Sequence, residues 1–191
     1  PYDGIGIMDS YFPQAYFFTE YERFDRFVDK WRRNGNKKIE YIAITTPNYL
    51  HDSHIRFALR SGANAICEKP LVLNPHNIDQ LKIIEEESGK KVFNILQLRL
   101  HESIVALKNK ISKELLQNPD RIYDVDLTYL TSRGKWYFIS WKGDEDKSGG
   151  VATNIGVHFF DMLSWIFGPI EENIVHLKQP DANAGYMRLK N

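Results

Sequence analysis

The tripeptide Glu68-Lys69-Pro70 closes the short apolar run Ala65-Ile66-Cys67. Far along the chain Asn154, Gly156, His158 and Asp161 follow one another at helical spacing. A lysine at a strand end and a histidine on a distant helix can converge on one substrate hydroxyl. Alcohol dehydrogenation needs that set: a cation near the oxygen, a base for its proton, and a cofactor face for the hydride. A cis Lys69–Pro70 bond would be one way of fixing the lysine's aim. Partial burial would weaken its preference for charge, which suits proton exchange with an alcohol. Asn154, His158 and Asp161 stand at i, i+4 and i+7 and so share a helix face, while Ile155, Phe159, Met162 and Ile166 form an apolar stripe. Gly149-Gly150 at the start of that helix allows backbone to approach a ligand closely. The competing readings are an exposed lysine at a strand-to-loop junction and a hydrogen-bonded structural histidine.

Two further segments carry suitable groups. Thr45-Thr46-Pro47-Asn48 offers short hydroxyl and amide groups suited to ribose or phosphate. The stretch 132–148 mixes Arg133, Lys135, Lys142 and Lys147 with Trp136, Tyr137 and Trp141. Such a set can grip phosphates and a carboxylate and offer an aromatic face to a base or sugar. Exposing all three aromatics together would be unusual for a surface without a partner. His51 and His54 stand three apart with no second cluster, so no metal site is expected. No nucleophile-elbow motif supports a Ser–His–Asp hydrolase.

The elements that must position these groups follow from hydrophobic pattern and turn residues. Thr19 to Glu22 reads as a capping box opening a helix whose apolar face is Phe24, Phe27, Val28 and Trp31, ending near Gly35. Ile39–Thr45, Ala65–Glu68 and Val92–Leu98 read as buried parallel strands. Helices over His54–Arg60 and from Asn74-Pro75 to Ser88 lie between them. Ligands of such a sheet belong at the carboxyl ends of its strands, where Thr45–Asn48, Glu68–Pro70 and Gln97–Arg99 lie. Beyond Leu100 the pattern predicts a helix over His101–Gln117, an alternating antiparallel-type strand over Arg121–Thr131, a loop to Gly149, a helix over Gly150–Phe167, and a hairpin of Ile174–Lys178 with Tyr186–Lys190. The fold class is therefore an α/β Rossmann-like domain, residues 1–99, followed by a partial α+β domain with a mainly antiparallel sheet, residues 100–191.

The 191 residues carry 25 Lys+Arg against 25 Asp+Glu, which gives no electrostatic footprint for nucleic acid. Cys67 is the single cysteine, which excludes an internal disulfide framework and fits a reducing, cytoplasmic setting. No apolar run approaches the roughly twenty residues that cross a bilayer. No basic stretch followed by an apolar one marks a signal peptide near Pro1.

With these residues in view, the chain resembles the glucose-fructose oxidoreductase/inositol dehydrogenase (Gfo/Idh/MocA) family of NAD(P)-dependent dehydrogenases. The resemblance rests on Ala43-Ile44-Thr45-Thr46-Pro47-Asn48 with His51, on Glu68-Lys69-Pro70, and on Gly149-Gly150, Asn154-Ile155-Gly156-Val157-His158 and Asp161. Leu96–Arg99, Thr131–Gly143 and Ala152–Leu163 look most like the bacterial UDP-N-acetyl-2-amino-2-deoxyglucuronate 3-dehydrogenases. The resemblance implies oxidation of a sugar C3 hydroxyl on the route to lipopolysaccharide O-antigen sugars, NAD as oxidant, and a homotetramer. It also implies 2-oxoglutarate as a reagent that some members use to re-oxidise NADH.

Carried over to this sequence, it makes Lys69 and His158 catalytic. Asn154, Arg133, Lys142 and Asp161 would bind substrate, and Thr45, Thr46, Pro47, Asn48, His51, Glu68, Lys69 and Gln97 would line the cofactor. Many members have an aspartate where this chain has Asn154. An amide cannot accept a proton at neutral pH, so proton removal falls to His158 or Lys69.

Gly4-Ile5-Gly6 is not the dinucleotide fingerprint, since no strand precedes it and no third glycine opens a helix. The chain therefore reads as an internal fragment, and the isolated segment is expected to be inactive. A dehydrogenase of another sugar or cyclitol, and a non-catalytic sugar-binding chain, remain open alternatives.

Overall fold

Three short apolar runs pair in parallel: β1 (Tyr41–Ile44), β2 (Asn64–Cys67) and β3 (Val92–Asn94), with β2 in the middle. The computed structural model describes residues 10–35 and 38–191, so Gly4-Ile5-Gly6 lies outside the described residues. Ile44 stands opposite Cys67, and Cys67 opposite Asn94, so the three strands end side by side. β1 and β3 are shorter than the strands the pattern predicts, and β2 has the expected length but starts one residue earlier. The expected third strand, Val92–Leu98, stops at Asn94 because β2 has no further ladder to offer. Ile95 N–H still donates to Cys67 O at 3.0 Å, and Gln97–Leu100 then winds into a 3-10 turn.

Helix α1 (Tyr21–Arg33) turns Val28 inward, with Phe24, Phe27 and Trp31 half-buried beside it. The expected capping box does not form. The helix starts after Glu20, which makes no side-chain cap bond, and the two carboxylates are taken by arginines one turn on: Glu20 pairs with Arg23 at 3.0 Å and Glu22 with Arg26 at 3.2 Å. Helix α2 (His51–Arg60) begins earlier than the sequence pattern predicts, straight out of a 3-10 turn over Asn48–Leu50. Its buried face is Ile55, Ala58 and Leu59, which joins Ile44, Ala65, Cys67, Leu81 and Ile84 in one core. Helix α3 (His76–Ser88) is capped by Asn74, whose Oδ1 accepts from His76 N–H at 3.0 Å. It ends where Gly89 takes a left-handed φ of 65°.

The second region builds its core from α4 (Glu102–Gln117) against a later helix, with Ile111, Met162, Ile166 and Phe167 buried and Leu98 packed on them. Two short helices, α5 (Lys135–Ile139) and α6 (Glu145–Ser148), replace the expected loop. The expected continuous helix over Gly150–Phe167 contains a π-helical turn at Ala152–Gly156, followed by α7 (Val157–Phe167). β4 (Ile170–Lys178) and β5 (Asn183–Leu189) form an antiparallel hairpin, longer at its base than the pattern predicts.

Arg121–Thr131 is not a strand. Its alternation is real, but no ladder partner lies beside it among the described residues, and Val125, Leu127 and Tyr129 stay exposed. The architecture is a Rossmann-like parallel sheet followed by a domain with an antiparallel two-stranded sheet.

Candidate active site

Parallel pairing brings the carboxyl ends of β1 and β2 together, and the loops that follow them form one wall of an open cleft of about 260 Å³. Thr45, Thr46 and Asn48 come from the β1 end, and Glu68 and Lys69 from the β2 end. Asn154 comes from the π-helical turn, and Arg133, Trp136, Tyr137, Trp141 and Lys142 from the aromatic segment opposite.

The Lys69–Pro70 peptide bond is cis. Lys69 Nζ donates to Asn154 O and, at 3.3 Å, to Asn154 Oδ1. An ammonium has three N–H donors, so one remains for a ligand. Asn154 is held on every side. Its Oδ1 also accepts from Asn48 Nδ2 at 3.2 Å, and its Nδ2 donates to the Tyr137 hydroxyl at 3.4 Å. Asn48 Nδ2 donates as well to Ser148 O at 2.8 Å. Both asparagines are almost fully buried, at 4% and 7% exposure. The amide that the sequence marks as an orienting group is therefore the junction between the two regions of the chain.

The glycine pair serves this junction. Gly149 and Gly150 both have left-handed φ, 81° and 73°, which side-chain-bearing residues rarely adopt. A Cβ on Gly149 would sit 2.7 Å from Thr153 and 2.9 Å from Leu73. Ser148 Oγ donates to Asp144 O at 2.8 Å and accepts from Gly150 N–H at 3.1 Å, fixing the corner from within.

Electrostatically the cleft favours anions. Its lining carries three cations, Lys69, Arg133 and Lys142, against the single carboxylate of Glu68. Arg133 lies 5.5 Å from the Tyr137 ring centre, and Lys142 lies 5.2 and 5.7 Å from those of Trp136 and Trp141. Burial pushes the Lys69 ammonium below its ordinary range of 10.5; Lys142 and Arg133 push the same way and Glu68 opposes them. His158 is likewise held below 6.5, first by burial and then by the Lys69 charge. Among the described residues its Nδ1 is buried without a hydrogen-bond partner.

The structure gathers Thr45, Thr46, Asn48, His51, Glu68, Lys69, Arg133, Lys142 and Asn154 around the cleft. Pro47 stands between Thr46 and Asn48 at the bend into the 3-10 turn. Gln97 opens the turn after β3 and is exposed. Asp161 is engaged by Arg99, and neither Asp161 nor His158 is among the residues that line the cleft, although the Lys69 charge acts on His158. The three aromatics are not exposed together: Tyr137 is buried and in edge contact with Trp136, which is exposed. Two contributors were not legible in the sequence: Ser148, whose carbonyl accepts from Asn48, and His54, whose Nδ1 lies 3.1 Å from Thr46 Oγ1.

Residues 2–95 match the family model described as the oxidoreductase family's NAD-binding Rossmann fold, and residues 113–189 match the C-terminal alpha/beta domain of the same family. The chain belongs to the Gfo/Idh/MocA oxidoreductase family. Among solved structures it is similar to the WlbA (WbpB) dehydrogenase from Thermus thermophilus in complex with NAD and alpha-ketoglutarate. Identity is 47% and the TM-score 0.87, over 98% of this chain and 59% of that one. The same Thermus enzyme in complex with NAD and UDP-GlcNAcA matches at 46% identity and TM-score 0.87, with the same coverage. Among curated relatives, a putative UDP-kanosamine synthase oxidoreductase subunit from Amycolatopsis mediterranei (strain S699) is 28% identical over 134 residues, 70% of this chain and 36% of that protein. This Gfo/Idh/MocA chain thus spans a little over half the length of those structural relatives.

Thr45, Thr46 and Asn48 bring small hydroxyl and amide groups to the cleft next to Lys69, and both N–H groups of the Asn48 amide are already taken by Ser148 O and Asn154 Oδ1.

Proposed function

We propose that the polypeptide carrying these residues oxidises the C3 hydroxyl of a UDP-linked N-acetyl-glucosaminuronic acid with NAD. The observation that carries the reading is the Lys69 ammonium, anchored on Asn154 with one donor left over, inside a cleft whose lining is net cationic. The 47% identity to an enzyme solved with NAD, and in a second structure with UDP-GlcNAcA, supports the substrate class.

NAD, when bound, supplies the hydride acceptor. Thr45, Thr46, Pro47, Asn48, Glu68 and Gln97 would position it. Lys69 would donate to the reacting hydroxyl and stabilise the negative charge that develops on its oxygen. His158 would take the proton, directly or in relay with Lys69. Both groups hold their protons less tightly than usual, which favours that exchange. Asn154 would orient the sugar, and Arg133 and Lys142 would hold its carboxylate and phosphates. A neutral free sugar or cyclitol would leave those two cations without a counter-charge, which favours the uronic acid over that reading.

In the same proposal the product feeds lipopolysaccharide O-antigen sugar synthesis in the cytoplasm, the enzyme is a homotetramer, and 2-oxoglutarate re-oxidises NADH. Among the described residues no helix is long and apolar enough to cross a membrane. The test is NADH formation by the complete polypeptide with UDP-N-acetylglucosaminuronic acid, compared with UDP-N-acetylglucosamine and with free sugars. Turnover of the uronic acid alone supports the reading, and equal rates with uncharged sugars would sink it.

A further inference from the structure

His51 has 0% exposure, yet it is a polar ring with both nitrogens engaged. Nδ1 lies 2.7 Å from Pro70 O and Nε2 lies 2.9 Å from Thr46 O; both partners are acceptors, so a neutral ring donates to one of them according to its tautomer, and only the doubly protonated ring donates to both. Those carbonyls belong to different loops: Thr46 follows β1, and Pro70 follows Lys69 at the end of β2. The parallel ladder between these strands closes at Ile44 opposite Cys67, and Glu68 N–H to Ile44 O, at 3.0 Å, is the last backbone bond that joins them. Beyond that point the imidazole spans the gap directly, while Asn48 and Lys69 meet only through Asn154. The ring is itself rigidly mounted, because it opens α2, whose Ile55, Ala58 and Leu59 are fixed in the core. One turn on, His54 fixes the Thr46 hydroxyl.

We propose that His51 is a positioning residue: its ring, bridging the Thr46 and Pro70 carbonyls, sets the spacing between the Lys69 ammonium and the cofactor-side wall without itself touching either ligand. The expected role of His51 as a direct cofactor contact is thereby replaced by an indirect one. The inference rests on the dehydrogenase reading above for its kinetic consequence, though not for its geometry. Misplacement of a reacting group by about 1 Å costs on the order of a hundredfold in rate, so the bridge should matter more for turnover than for binding.

The experiment compares wild type, His51→Phe and His51→Gln in the complete polypeptide. Phe keeps a flat ring without donors, and Gln keeps an N–H donor. The readouts are kcat and KM with NAD and UDP-N-acetylglucosaminuronic acid, the isotope effect on kcat with deuterium at the oxidised carbon, and acetylation of Lys69 by acetic anhydride, read by peptide mass spectrometry. His51→Phe should lower kcat roughly tenfold to a hundredfold, raise the isotope effect and leave KM for NAD within about threefold, as a loss of alignment does. Lys69 should be acetylated faster, and His51→Gln should recover part of both properties.

If kcat falls only with the folded fraction, while the isotope effect and Lys69 acetylation stay at wild-type values, the ring is filler and the proposal is overturned. If His51→Phe does not fold, His51→Leu, which also lacks a donor, decides by the same criteria. If wild type does not oxidise the sugar, the proposed function fails, and the acetylation comparison alone still decides the role of His51.

Discussion

Arg99 grips Asp161 with two donors, Nε to Oδ2 at 2.8 Å and Nη2 to Oδ1. Arg99 sits in the turn that follows β3, and Asp161 sits on α7 one turn beyond His158, so the pair ties the end of the parallel sheet to the helix that presents the histidine. Trp165, a further turn along, lies 5.8 Å from the Arg99 guanidinium and 4.5 Å from the Lys108 ammonium, measured to its ring centre. The aspartate expected to bind substrate is therefore already occupied in aiming its own helix.

Arg99→Gln and Asp161→Asn should consequently be less than additive in stability. The pair is partly exposed, so a coupling of about 0.5–1 kcal/mol is expected from urea denaturation of the two single variants and the double. Full additivity would show that the helix is held elsewhere.

Lys69→Met in the complete polypeptide should lower turnover by about a hundredfold or more, the range for losing proton-transfer or oxyanion help, with NAD affinity nearly unchanged by calorimetry. Near-normal turnover would remove Lys69 from the chemistry.

The pH profile separates the candidate bases. His158 is held below 6.5, so its neutral form persists to lower pH than an ordinary imidazole's, and the acid limb of kcat should fall below that value. His158→Asn should abolish that limb and most of the rate. Asn154→Asp would place a carboxylate beside Lys69, favour its charged form and move any lysine-dependent limb to higher pH. A profile indifferent to both substitutions would mean that the base is a different group.

Cys67 is fully buried and burial pushes its thiol up to about 12, with Glu68 adding to the effect, so thiolate is negligible at neutral pH. The folded protein should leave a thiol-selective disulfide reagent unconsumed until urea unfolds it. Rapid reaction in the folded state would show that the strand end opens.

The strand ends were legible because apolar runs stop at Thr45 and Cys67, and parallel pairing then forces the polar residues that follow into one cleft. Asn154 was legible through its spacing from His158. The 121–131 segment misled because alternation records which faces differ in polarity, whereas a strand also needs a partner for its backbone. The bridging of His51 between two carbonyls was invisible for a related reason. It depends on where Pro70 O falls in space, and no residue type announces a carbonyl. Ser148 was missed on the same ground, and the π-helical turn leaves no mark in the apolar periodicity of Ile155, Phe159, Met162 and Ile166.

That turn sets a limit on how the chain can vary in length. Each residue of a regular helix advances the azimuth by about 100°, so losing a single residue between Ala152 and Gly156 would let the segment relax into ordinary winding. The Asn154 amide would then swing away from Lys69 and Asn48 while α7 kept its own packing. Point substitutions here cost contacts, whereas a one-residue deletion would change the phase of Asn154 relative to His158.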